Sequence, residues 1–138
     1  MNVLIDTNVI IDYLQNREEF ISSAQVVMMC AKKEINGFMA AHSIPNIFFI
    51  LRKEFSEEER RELLLSIIKI IPIVNINHDK IVSALMRKEF IDFEDCLQVE
   101  CAEEIGAAYI VTRNIKDFTK SKIPAVIPSD FVDLISYL

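Results

Sequence analysis

Apolar residues follow two alternating patterns along this chain: short unbroken runs, and longer stretches where they recur every three or four positions. The first run, Met1 to Ile5, reads as a buried strand. Thr7 to Gln15 then places Val9, Ile10, Tyr13 and Leu14 at the spacing of one helix face. Phe20 to Lys33 repeats that period through Ala24, Val27, Met28 and Ala31. Gly37 is expected as a helix cap or turn, with "FMAA" after it as a second strand. "SIPNIFFILRKEF" predicts a helix capped by Ser43, with Pro45 in the first turn, where its missing N–H is tolerated. Ser56 to Ile70 opens on "SEEER", a capping box completed by Glu59, and continues as an amphipathic helix.

The second half repeats the alternation. "IPIVNI" (71–76) is a third strand, Asn77 to Glu89 a helix, and Asp92 to Ile105 another helix stopped by Gly106. "YIVT" (109–112) is a fourth strand, followed by a turn of helix from Asn114 to Phe118. "IPAVIPSDFVDLIS" supplies a fifth short strand and a closing helix. No linker, repeat or low-complexity segment divides the chain, so residues 1–138 are expected as one domain. Apolar strands alternating with helices imply an α/β fold: a central parallel sheet of four to five short strands covered on both faces. Ligands of such sheets gather beyond the carboxyl ends of the strands. Asp6 stands at one such end, and Thr112 with "RNIKD" at another.

Composition narrows the picture. A length of 138 residues fits a single domain. The 51% hydrophobic and 26% charged content supports a packed core and excludes disorder. With 2 glycines and no Gly-rich loop, a backbone phosphate cradle is not expected. No run approaches the roughly 20 apolar residues of a membrane span. Asp6 and Asp12 interrupt the N-terminal apolar pattern, so no signal peptide is expected and a cytoplasmic protein is. Cys30, Cys96 and Cys101 lie in apolar helical contexts without zinc-site pairing and are expected as buried free thiols. A net charge of −6 repels nucleic acid, so a nucleic-acid partner requires a local basic patch or a bridging metal.

Three carboxylates follow strand ends or open helices: Asp6, Asp95 and Asp117. Each has an ordinary structural role open to it. Asp6 suits an N-cap, while Asp92, Glu94 and Asp95 suit a first helical turn, where the macrodipole favours negative charge. Asn114 and Asp117 have the spacing of a cap and its third residue. Together they are harder to explain that way. Carboxylates about 4 Å apart repel by several kcal/mol per pair even at an effective dielectric near 20. Such a cluster persists by holding protons or a divalent cation, and an all-oxygen set suits Mg²⁺ or Mn²⁺.

"VLIDTNVIIDYL", "DFEDCLQVECAEEIGAAYIVTRNIKDF" and the short closing "IP" strand together resemble a PIN domain, the nuclease domain of VapC-like toxins, over essentially the whole chain. The resemblance implies a three-layer α/β/α, flavodoxin-like fold, often homodimeric. It also implies a Mg²⁺- or Mn²⁺-dependent endoribonuclease using a metal-activated water, with a small antitoxin protein as partner and RNA as substrate. Asp6, Asp95 and Asp117 would then be the metal-binding and catalytic carboxylates, with Asn8 and Thr112 orienting them. Asn114 stands where many relatives carry an acid, and either a ligand or a supporting role is open to it. Arg113 is a candidate phosphate contact or a salt-bridge residue. Glu94 is expected to be solvated. The chain departs from the family in the stretch "SIPNIFF", where Asn46 occupies a position that commonly holds an acid. An amide brings an oxygen but no charge. Weaker metal binding follows, and His42 nearby is open to a ligand or a merely hydrogen-bonded role.

Other α/β readings fit less well. A receiver domain needs an Asp at the end of its third strand, where this chain has Asn75 and Asn77, and an acidic pair after strand one that is missing. An Asp-x-Asp phosphatase fails because Asp6-Thr7-Asn8 lacks the second acid. The remaining alternative is a PIN-like module that binds RNA or protein without cutting, for which Asn46 is the argument.

Overall fold

The computed structural model describes residues 1–90 and 92–137. Its five strands are β1 (Asn2–Ile5), β2 (Asn36–Ala40), β3 (Ile73–Val74), β4 (Tyr109–Val111) and β5 (Ala125–Val126). They form one parallel sheet in the order β3-β2-β1-β4-β5. The helices are α1 (Thr7–Leu14), α2 (Ile21–Ala31), α3 (Ser43–Ile50), α4 (Glu57–Ile70), α5 (His78–Met86), α6 (Phe93–Glu104) and α7 (Pro128–Ser136).

Strand alternation builds the layers. Successive side chains point to opposite faces of a sheet, so Val3 and Ile5 enter one core and Leu4 the other. The first core takes Val9 and Ile10 of α1, Val26 and Val27 of α2, Ile47 of α3, Ile67 of α4 and Phe131 of α7. The second packs Leu4, Ala40, Val74 and Ile110 against Val99, Cys101 and Ala102 of α6. Helix α5 covers α6 through Ala84, Cys96 and Leu97. The result is the three-layer α/β/α arrangement that the alternating pattern predicts, and Cys30, Cys96 and Cys101 are buried free thiols within it.

The strand order places the site. From β1 the chain steps outward to β2 and β3, then returns across the sheet to lay β4 on the other side of β1. The pairs Leu4–Ile110 and Ile5–Val111 run side by side, and the Asp6 N–H continues the ladder to the Val111 carbonyl at 2.9 Å. Connections leave these two strands in opposite directions, which opens a crevice beyond their carboxyl ends.

Local chemistry fixes several boundaries. Ser56 and Glu59 form the expected capping box of α4, with backbone contacts of 2.9 and 3.1 Å. Gly106, at φ +61°, ends α6 in a Schellman turn: its N–H reaches the Glu103 carbonyl and that of Ala107 the Ala102 carbonyl. Two expectations are corrected. Gly37 is neither cap nor turn but lies inside β2, where a Cβ would run into the Cys30 Sγ. Ser43 is the first residue of α3 rather than its cap, and its hydroxyl is instead held by Thr7 at 2.7 Å. The third strand is shorter than "IPIVNI" suggests, and α5 ends at Met86 rather than Glu89.

Gly37→Ala is expected to destabilise the protein by about 1–3 kcal/mol, the usual range for overpacking a filled core. Chemical denaturation measures it; an unchanged midpoint would show that the Cys30 side chain yields without cost.

Candidate active site

A cleft of about 420 Å³ opens at the β1/β4 crevice. Asp6 forms its floor. It is 8% exposed and caps α1, yet each oxygen has two donors. Oδ1 accepts from the Thr7 N–H at 2.8 Å and from Gln98 Nε2 at 3.1 Å. Oδ2 accepts from the Thr112 hydroxyl at 2.7 Å and from Asn8 Nδ2 at 3.3 Å. Burial nevertheless raises the Asp6 pKa above the usual carboxylate range, with Asp117 adding to the rise while Thr112, Thr7 and Arg113 oppose it. The hydrogen bonds from Thr112 and Thr7 do not offset the lost hydration.

Asp95 enters from the first turn of α6, where its N–H is capped by Asp92 at 3.0 Å. It is half-buried, and its pKa is pushed up to about 7, first by burial and then by repulsion from Asp92, Asp117, Asp6 and Glu94. Asp117 reaches the cleft from the 3-10 turn Ile115–Phe118 that follows β4. Three sequence-distant acids thus line one cavity. Asn8, Asn46 and Asn114 line it too, while Thr112 stands behind Asp6, fully buried, and accepts the Asn114 N–H at 3.0 Å. Glu94 is exposed, as expected, at the edge of the cleft, where it accepts from Asn46 Nδ2 at 3.5 Å. His42 is also in the wall; burial lowers its pKa, partly countered by Glu94 and Asp92.

Arg113 does not line this cleft. Its Nε pairs with Asp12 Oδ2 at 2.9 Å and its guanidinium lies 4.2 Å from the Phe20 ring centroid, which is the salt-bridge role of the two open to it. Two contributors escaped sequence reading. Gln98 sits three residues after Asp95, hence on the same face of α6, and that i,i+3 relation was the available signal. Asp12 appeared only as an acid within the apolar pattern of α1, with nothing in sequence to name its partners.

Among the described residues no Lys or Arg lines the cleft, and two polar atoms within it are buried without a partner, Gln98 Oε1 and His42 Nδ1. Repelling carboxylates that share a cavity favour a bound cation or a bound proton. Among the described residues no group of three or more His, Cys, Asp or Glu is placed to hold a metal ion.

Comparison with known proteins places this architecture. A family model described as "PIN domain" matches residues 2–116, ending one residue before Asp117. A toxin–antitoxin complex from Klebsiella pneumoniae contains a chain of the same fold: TM-score 0.69 and 23% identity, covering 91% of this chain and 97% of that one. VapBC2 from Rickettsia felis, bound to a promoter DNA fragment, matches with a TM-score of 0.67 and 16% identity over 92% and 98% of the two chains. VapC20 of Mycobacterium tuberculosis, a sarcin–ricin loop cleaving toxin, matches with a TM-score of 0.59 and 10% identity over 78% and 86%. No curated protein matches the sequence.

The raised Asp95 pKa makes a pH prediction. The folded protein keeps this proton up to about pH 7, whereas an unfolded Asp loses it near the ordinary 3.8. The resulting stability is complete below about pH 4 and is lost as pH rises toward 7. Asp95→Asn removes this loss, so without metal its stability relative to wild type should improve steadily from about pH 4 to about pH 7. Urea unfolding across that range checks it; parallel wild-type and mutant profiles would contradict the assigned shift.

Proposed function

Because this chain belongs to the PIN domain family, we propose that its acidic cleft is the active site of a divalent-metal-dependent endoribonuclease, the toxin of a toxin–antitoxin pair. The observation that carries this reading is the presence of Asp6, Asp95 and Asp117, from three separate segments, in the wall of one cavity that no Lys or Arg lines. In this reading the three carboxylates would hold Mg²⁺ or Mn²⁺. When bound, such an ion lowers the pKa of water and offsets charge developing on a phosphodiester.

The chain's own groups set the stage for that ion. Thr112, Asn8, Thr7 and Gln98 hold both oxygens of Asp6 and so fix the orientation of the carboxylate. Asn46 and Asn114 contribute neutral amide oxygens at the rim, where they add donors without further repulsion. The raised pKa of Asp95 means that cation binding displaces a proton near neutrality, so affinity should rise with pH. The similar chain from Klebsiella pneumoniae belongs to a toxin–antitoxin complex, which supports an antitoxin partner, and the cleft's negative charge suits a basic side chain from it. VapC20 cleaves the sarcin–ricin loop, which supports RNA as substrate, and the homodimer is what the family resemblance implies. Among the described residues no helix is long and apolar enough to cross a membrane.

A second reading, a non-cutting RNA- or protein-binding module, is favoured by Asn46 in place of an acid and by the open ligand set. Incubating total RNA with the protein in Mn²⁺, Mg²⁺ or EDTA separates the two. The nuclease reading predicts metal-dependent cleavage that Asp6→Asn, Asp95→Asn or Asp117→Asn each lowers by about 100-fold or more. Asn46→Glu should increase cleavage at limiting Mn²⁺. Absence of cleavage with either metal, with the fold intact, would transfer the assignment to the binding module.

A further inference from the structure

Asp12 lies on α1, six residues past Asp6, and is 1% exposed. It does not line the cleft. Its Oδ2 accepts from Ser23 Oγ of α2 at 2.8 Å and from Arg113 Nε at 2.9 Å, while Oδ1 has no partner. A buried carboxylate in that setting depends heavily on its one cation. Arg113 stands between Thr112, which holds Asp6, and Asn114, which opens the turn carrying Asp117. Three contacts fix it: the ion pair with Asp12, the stack on Phe20, and its backbone N–H on Asn8 Oδ1 at 3.3 Å.

We infer that Asp12, acting through Arg113, is a positioning residue that holds residues 112–117 against α1, so that Thr112 meets Asp6 and Asp117 enters the cleft. The reading of Arg113 as a substrate phosphate contact fits the geometry less well. Its guanidinium is drawn to the Asp12 side, where it lines a separate cavity with Phe20, Ser23 and Pro128. The effect on cleavage rests on the nuclease assignment; the effect on the loop does not.

The test combines amide hydrogen exchange with steady-state kinetics on Asp12→Asn, Arg113→Lys and the double variant Asp12→Asn/Arg113→Lys. In wild type the Arg113, Asn114 and Asp117 N–H groups are each hydrogen-bonded. Exchange over 112–117 should be about tenfold faster in Asp12→Asn and in Arg113→Lys, with Glu57–Ile70 of α4 unchanged. Cleavage should lose about 10- to 100-fold in kcat with little change in KM, and the double variant should be no worse than the worse single. Should Asp12→Asn fail to fold, Arg113→Lys decides, since it keeps a cation beside Asp12 but not the guanidinium fork. Unchanged exchange over 112–117 overturns the inference. So does a raised KM with kcat intact, the signature of a phosphate contact. If the wild type cleaves no RNA, the nuclease assignment falls and the exchange result alone settles the positioning role.

Discussion

The constraint on which the rest depends is a single buried carboxylate at the end of the central strand. Asp6 is satisfied from four places: the Thr7 N–H at its own helix start, Asn8 in the same first turn, Gln98 on α6 and Thr112 beyond β4. Each donor belongs to an element that the doubly wound topology must bring to the same point. Burial still raises the Asp6 pKa despite these bonds, so the arrangement works against stability at neutral pH. Natural proteins accept such local costs mainly at functional sites.

Charge placement around the cleft follows the same logic. Asp95, Glu94 and Asp117 face the cavity, while the arginines described near it are engaged elsewhere: Arg113 with Asp12 and Phe20, Arg52 stacked 3.7 Å from the centroid of Phe49 at the rim. With a net charge of −6, the protein offers a polyanion no general attraction. Under the proposed function the missing positive charge comes from a bound divalent ion during turnover and from a basic antitoxin side chain at rest. Both fill one electrostatic vacancy.

What the sequence made legible was what local periodicity and spacing encode. The β1 run, the α4 capping box and the Gly106 stop depend on neighbours within a few residues, and each appears where expected. The convergence of Asp6 with Thr112 followed from topology, because strand ends of a parallel sheet share one edge. The features that escaped depend on contacts across long separations. Gly37 reads locally as a turn, and only the Cys30 sulfur across the core explains it as a strand residue. Ser43 reads as a cap until its hydroxyl is seen against Thr7 and Gln98. Gln98 and the Asp12–Arg113 pair carry ordinary local signals, and their partners lie 92 and 101 positions away. Similar structures at 10–23% identity retain the fold, in keeping with a chain specified by pattern and topology more than by particular core side chains.

The central claim is that the three carboxylates form a divalent cation site, and thermal unfolding in EDTA, then in millimolar Mn²⁺ or Mg²⁺, tests it most directly. A ligand present at about 100 times its dissociation constant stabilises the folded state by roughly 2.7 kcal/mol. The account predicts a metal-dependent rise in Tm for the wild type that disappears in Asp6→Asn, each protein being compared with its own metal-free Tm because the amide relieves repulsion but turns a donor toward two of the donors that hold Asp6. An identical Tm with and without metal in the wild type, in millimolar Mn²⁺ and in millimolar Mg²⁺ alike, would contradict it.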